Sequence, residues 1–160
     1  MASTRMRQPP PVLDHCRVVE YAVLAGKVTY SGHSNLFFDG REVGPVAALA
    51  IGKPTDDQEP LLLHCDRKWA VEAVAGYPTV KEAKTRAEKI YPGVSALWRR
   101  TGVSKAKADA YLARMWKGMT CSFCGRRPDQ VKTLIGIKPR ICDICVREFH
   151  EGIDDIQSRP

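Results

Sequence analysis

Four cysteines constrain this chain more than any other feature. Cys121, Cys124, Cys142 and Cys145 form two Cys-x-x-Cys pairs, with seventeen residues between them, in the run CSFCGRRPDQVKTLIGIKPRICDIC. A short knuckle turns both sulfurs of a pair inward. Two knuckles at this separation can present four thiolates to one Zn²⁺ in a tetrahedron. Gly125 follows the first pair, where a tight turn calls for positive φ. Two disulfides or a redox pair are the competing readings. A redox pair needs one Cys-x-x-Cys at a helix start in a thioredoxin-like setting, not two. All four ligand positions are cysteine, so the site is closed. A catalytic zinc keeps one position open for water, usually with His or carboxylate among its ligands. The spacing therefore predicts one structural Zn²⁺ that holds a small module together. His150 reads as a surface residue or a neighbour of the ligands, because four thiolates already satisfy the metal.

The same residues carry a family resemblance. CSFCGR, then Val131, then Leu134-Ile135-Gly136, then ICDIC followed by Val146 resembles the N-terminal zinc-binding domain of the ClpX unfoldase. The likeness runs from Cys121 to about Ile156 and includes the apolar pattern between the cysteines. The stretch between the pairs is one residue shorter than the usual family pattern. Gly136-Ile137-Lys138-Pro139 replaces the family's glycine-proline step. The resemblance implies a treble-clef-like finger that dimerises and receives substrates and adaptor peptides on an apolar surface. It does not carry ATP hydrolysis, since the chain has no Gly-x-x-x-x-Gly-Lys-Ser/Thr.

The 160 residues leave room for one ordinary domain and a small one, and a hydrophobic fraction of 44% supports a packed core. No apolar run approaches the ~18 residues of a membrane span. MASTRMRQPPP lacks an apolar stretch after its arginines, so it does not read as a secretory signal. A tetrathiolate zinc without such a signal points to a reducing compartment, and the expected location is cytoplasmic. The net charge of +7 is uneven: residues 1–78 sum to −1, residues 79–120 to +7 and residues 121–160 to +1. The basic character belongs to the middle segment.

The pattern along the chain predicts an α+β fold. Residues 1–12 read as a disordered leader, 13–100 as an α+β domain, 101–120 as a basic helical connector and 121–160 as the ClpX-type zinc-binding domain. Strands are expected over 16–25, 46–51, 61–65 and 69–75, with Asp66-Arg67-Lys68 as a hairpin turn. Residues 31–45 read as loop, with Asp39-Gly40 as a turn. Thr79 opens a helix as N-cap, with Glu82 completing a capping box and Pro92-Gly93 ending the helix. Its apolar residues Val80, Ala83, Ala87, Ile90 and Tyr91 recur at helical spacing, so one face packs on the sheet. A second helix is expected from Ser104 to Trp116. The architecture expected is a small antiparallel sheet with a packed helix, then a helical connector, then a C-terminal treble-clef-like Cys₄ finger.

Other residues invite functional readings. His15-Cys16 and His64-Cys65 are two His-Cys dipeptides that could form a second metal site or a nucleophile pair. On a strand, neighbours point to opposite faces, so one dipeptide cannot easily aim both side chains at one centre. Cys65 shares a face with Leu61 and Leu63 and reads as a core thiol. Asp56, Asp57 and Glu59 lack the spacing of a calcium loop, and Asp14, Asp39 and Asp66 are scattered among turns. No Ser/His/Asp set, phosphate loop or paired acid motif stands out. The expected function is therefore non-enzymatic. The chain reads as a bacterial protein–protein interaction protein, of the immunity or inhibitor kind that neutralises a toxin or effector. Its zinc finger would serve dimerisation, or docking on a Clp-type adaptor partner. The alternative is a nucleic-acid-binding regulator that uses the finger and residues 81–117, where Lys81, Lys84, Arg86, Lys89, Arg99, Arg100, Lys105, Lys107, Arg114 and Lys117 gather. An enzyme using Cys65 with His64, or Cys16 with His15, ranks last. Trp98, Tyr111, Met115 and Trp116 flank the basic segment as core residues or, where exposed, as interface anchors.

Overall fold

Leu49 and Ile51 alternate with Ala48 and Ala50 along one strand, and that alternation organises the first part of the molecule. The computed structural model describes residues 6–24, 26–38, 40–54 and 58–157. The chain divides into two compact units, with the boundary between Tyr111 and Leu112.

In the first unit the strands are β1 (Val12–Leu13), β2 (Cys16–Val23), β3 (Phe37–Phe38), β4 (Arg41–Glu42), β5 (Ala48–Pro54), β6 (Leu61–Cys65), β7 (Val71–Gly76) and β8 (Arg99–Arg100). Helix α1 spans Val80–Ile90, and α2 spans Lys105–Met115 across the unit boundary. Strands β1, β2, β5, β6 and β7 lie side by side in that order, all antiparallel, and β8 joins the sheet against β2. β3 and β4 make a separate hairpin.

Side chains alternate across a strand, so the sheet has two buried faces. Leu49, Ile51 and Leu62 pack with Ala83, Ala87 and Ile90 of α1, and with Tyr91 and Val94 beyond it. Ala48, Ala50, Leu63 and Cys65 face the other way, against Leu13, Val18 and Trp69. A bulge in β2 changes the parity of that strand. Val18 pairs with Gly52 and Glu20 with Ile51, leaving Val19 as the extra residue. Val19 thereby joins the α1 side, whereas Val18 and Tyr21 face the opposite side. Glu20 takes the α1 side as well and forms an ion pair with Lys84.

Helix α1 starts as its sequence requires. Thr79 Oγ1 accepts from the Glu82 amide at 3.1 Å, and the Glu82 carboxylate lies 3.1 Å from the Thr79 hydroxyl. At the far end Glu88 accepts from the Gly93 and Ser95 amides and the Ser95 hydroxyl, fixing the turn into a 3₁₀ segment over Val94–Leu97.

Three features depart from the sequence reading. Residues 6–12 are not a free leader: Pro9 is buried, the Arg7 carbonyl accepts from Trp69 Nε1 at 2.9 Å, and the Pro11 carbonyl accepts from Val18 N at 3.0 Å. The buried indole needs an acceptor, and the extended proline run supplies backbone carbonyls in reach. Residues 1–5 lie outside the described residues. The stretch 31–45 contains the β3–β4 hairpin rather than loop alone. Arg99 and Arg100 form a strand, and Thr101 Oγ1 then donates to the Val18 carbonyl at 2.6 Å while Arg17 donates to the Val103 carbonyl at 3.0 Å. Arg99 and Arg100 therefore belong to the sheet, and Thr101 and Val103 are hydrogen-bonded to β2.

The second unit holds the end of α2, a knuckle at Cys121–Cys124, a 3₁₀ turn over Pro128–Gln130, the hairpin of β9 (Leu134–Ile135) and β10 (Ile141–Cys142), and helix α3 (Asp143–Gln157). Knuckle, hairpin and helix in this order give the treble-clef-like arrangement expected of a Cys₄ finger. Among the described residues, no helix is long and apolar enough to cross a membrane.

Candidate metal centre

Each of the two cysteine pairs is held by its own backbone. Gly125 N donates to the Cys121 carbonyl at 2.9 Å and Cys121 N to the Arg126 carbonyl at 2.9 Å, closing the first knuckle. Gly125 adopts φ of 72°, the positive value expected of it. Cys142 ends β10 and Cys145 lies in the first turn of α3, where its amide points at Cys142 Sγ at 3.4 Å. The two halves are stitched together by Ser122, whose amide donates to the Arg140 carbonyl at 2.8 Å and whose hydroxyl accepts from Arg140 N at 3.0 Å. Asp143 caps the hairpin-to-helix junction, with one carboxylate oxygen accepting from the Lys132 and Thr133 amides at 3.0 and 3.2 Å. Those bonds, Thr133 first, hold its carboxyl below the usual range. Gly136 turns the hairpin at φ of 95°, and a Cβ there would sit 2.5 Å from the Pro139 carbonyl oxygen. No other residue fits that turn without moving the backbone.

All four Sγ atoms lie within 4.8 Å of one another. Cys124 and Cys142 are 3.6 Å apart, and Cys121 and Cys145 are 3.8 Å apart. A Zn–S bond of about 2.3 Å in a tetrahedron requires sulfurs about 3.8 Å apart, so the cavity between them fits Zn²⁺. Val131, Leu134, Ile141 and Ile144 pack around the three buried cysteines. The thiols interact strongly. Burial raises Cys121, but the amides of Cys124, Phe123 and Cys142 outweigh it and bring it to about 6. Cys145 is pushed up, first by burial and then by its neighbours Cys124, Cys142 and Cys121. Four sulfurs this close cannot all ionise without a cation between them, and a divalent metal relieves that repulsion. The donor set and its spacing match one structural Zn²⁺ with no open position.

Among the described residues, the remaining sequence candidates do not assemble into a second centre. Among the described residues, the four cysteines are the cluster placed to hold a metal. His64 and Cys65 are both fully buried and point to opposite sides of β6. Cys65 packs among Ala48, Leu63 and Trp69, while the His64 ring lies 6.3 Å from that of Tyr91. Burial pushes the Cys65 thiol up to about 12, helped by Asp66 and Glu72. Burial pushes His64 down to about 4, with Arg86 adding to it. A protonated thiol and a neutral imidazole on opposite faces do not form a nucleophile pair. Asp14 and His15 form the β1–β2 turn with φ of 46° and 62°, as a type I′ turn demands, so His15 is exposed while Cys16 is buried. His150 is exposed, 3.0 Å from Asp154 on the same helix. Asp39, Asp56 and Asp57 lie outside the described residues, and Glu59 is exposed.

The basic segment is partly committed to the fold. Lys84 pairs with Glu20 and lies 5.5 Å over the Trp98 ring, and Arg86 donates to the Ser34 carbonyl at 3.0 Å. Trp98 packs against the α1-side core. Lys81, Lys89, Arg99, Arg100, Lys105 and Lys107 remain exposed.

An exposed apolar face escaped the sequence reading. Val146, Phe149 and Ile153 lie at i, i+3 and i+7 on α3, and all three are exposed, as is Phe123 on the first knuckle. The helical repeat was visible in the sequence, but the inward-facing Ile144 and Cys145 belong to another stripe of the same helix, so periodicity alone does not say which stripe is buried.

Comparison with known families agrees with this geometry. Residues 119–155 match the ClpX C4-type zinc finger, which covers 37 of the 160 residues. No curated protein and no solved structure matches the chain.

Proposed function

We propose that this is a non-enzymatic protein that works by protein–protein contact, and that its zinc module supplies the contact face. The observation that carries this reading is the exposed apolar patch of Phe123, Val146, Phe149 and Ile153 on a module of ClpX zinc-finger type. A domain this small does not hold such a patch rigid with its own core, and a tetrathiolate zinc supplies the missing stability. Large apolar side chains clustered in the open are the anchors of interfaces. The zinc module then dimerises the chain or docks it on a second protein. The α+β unit recognises the other partner, a toxin or effector in the immunity reading, and the setting is the cytoplasm.

The testing experiment is sedimentation of the zinc-loaded protein beside Phe149→Glu. A dimer for the wild type and a monomer for the variant, each with one zinc, supports self-association through this face. An unchanged dimer in the variant removes it.

A second reading, nucleic-acid binding, rests on the exposed Lys81, Lys89, Arg99 and Arg100. Such contacts release counterions, so binding would fall steeply with salt. The commitment of Lys84 and Arg86 to Glu20 and Ser34 weakens this reading.

A further inference from the structure

The four ligands differ in their access to solvent. Cys121, Cys142 and Cys145 are buried, whereas Cys124 is exposed. Cys124 Sγ lies 3.6 Å from Cys142 Sγ. Exposure and a second sulfur in reach are the marks of a thiolate that oxidants attack and a neighbour then traps. The two cysteines of the first unit, Cys16 and Cys65, are both buried.

We propose that Cys124 is an oxidant-sensing ligand, and that its reaction with hydrogen peroxide releases the zinc and dissolves the docking face. This rests on the reading of the four cysteines as a zinc site. The Cys124 thiolate attacks one oxygen of the peroxide. The O–O bond breaks, a sulfenic acid forms, and hydroxide leaves. The Cys142 thiolate then attacks the Cys124 sulfur, an S–S bond forms, and a second hydroxide leaves. The two sulfurs together give up two electrons and the peroxide accepts them. Zinc keeps two thiolates, Cys121 and Cys145, and is lost. Phe123 is the neighbour of Cys124 in the chain, and its ring rests edge-on against Phe149. Freeing the knuckle from the metal therefore takes Phe123 out of the apolar patch and breaks its contact with Phe149. The protein's contact with its partner becomes sensitive to oxidants, and thiol reductant plus zinc restores it.

The experiment exposes the zinc-loaded full chain to low equivalents of hydrogen peroxide with dimedone present. Zinc release is followed with a chromogenic chelator, and adducts and disulfides are mapped by mass spectrometry. A parallel arm uses Cys124→His, which keeps four ligands in a Cys₃His set that zinc accepts. The expected result is first modification at Cys124, a Cys124–Cys142 disulfide without dimedone, and one zinc released per disulfide. Release is at least ten-fold slower in the zinc-loaded Cys124→His variant. First modification at Cys121, Cys142 or Cys145 would overturn the proposal. So would equal release rates in the two proteins, or retention of zinc after Cys124 is oxidised. Should the variant fail to load, the order of modification in the wild type decides alone. Zinc content before peroxide reports separately on the metal site: a chain purified under reducing conditions with no zinc would sink that site, and the sensing role with it.

Discussion

Phe123, on the first knuckle, meets Phe149, on helix α3, edge to face, with ring centroids 5.3 Å apart and the planes at 83°. Both rings remain about half exposed, at 56% and 46%. The pair joins the two elements that carry the metal ligands and also forms the centre of the apolar patch. Replacing Phe149 with Glu should abolish self-association while leaving zinc content near one per chain. At an interface, truncating an aromatic anchor of this kind costs about 2 kcal/mol or more, roughly thirty-fold in affinity. Sedimentation at several concentrations, with zinc assayed on the same samples, checks both halves.

Replacing Cys142 with Ser should empty the metal site and unfold residues 121–157. Cys142 is buried at the end of β10, and the metal contributes most of the folding free energy of such a module. The first unit has its own core and should stay folded. An amide NMR spectrum should lose the dispersed signals of the module and keep those of residues 6–111. Full zinc content in this variant would contradict the site.

His64 should make the first unit sensitive to acid. Its side chain is fully buried, neither ring nitrogen has a hydrogen-bond partner, and burial lowers its pKa from 6.5 to about 4. Between those values the unfolded chain takes up a proton that the native chain refuses. Stability therefore falls as the pH drops from about 6.5 towards 4, by up to ~1.4 kcal/mol per pH unit and about 3 kcal/mol in all. His64→Leu should lack this component. Urea midpoints at pH 7 and pH 4.5 should separate more for the wild type than for the variant, and equal separations would refute the assignment.

Trp69 pins the N-terminal segment. Its indole donates to the Arg7 carbonyl, and Met6 packs on the same core cluster. Trp69→Phe should cost about 1 kcal/mol through the lost hydrogen bond. It should also speed tryptic cleavage after Arg7 several-fold, because that backbone loses its anchor. No change in cleavage would show that the proline run alone holds the segment.

The sequence exposed those parts of the structure that repeat or that cap. The ligand set followed from the Cys121–Cys124 and Cys142–Cys145 spacing, because a tetrahedral metal needs two short knuckles. Helix α1 was legible from Thr79 and Glu82 at one end and Pro92-Gly93 at the other. The opposite orientations of His64 and Cys65 followed from strand alternation. The two-residue strands β3, β4 and β8 were not legible, because two residues carry no period. The bulge at Val19 was hidden as well: in VVEYAV either parity buries a valine. The anchoring of residues 6–12 depends on Trp69, some sixty residues away, and no local pattern announces it. The exposed apolar face of α3 was readable as a stripe, but only packing shows that Ile144 and Cys145 face inward and Phe149 outward.

The measurement that tests the central claim most directly is affinity capture of the tagged, zinc-loaded protein from its own host's lysate after nuclease treatment. Wild type and Phe149→Glu are run side by side and read by quantitative mass spectrometry. The account predicts a stoichiometric protein, a second copy of this chain or another polypeptide, that survives nuclease on the wild type and is lost from the variant at equal zinc content. Recovery of the same proteins by both, or loss of all of them from the wild type on nuclease treatment, would contradict it.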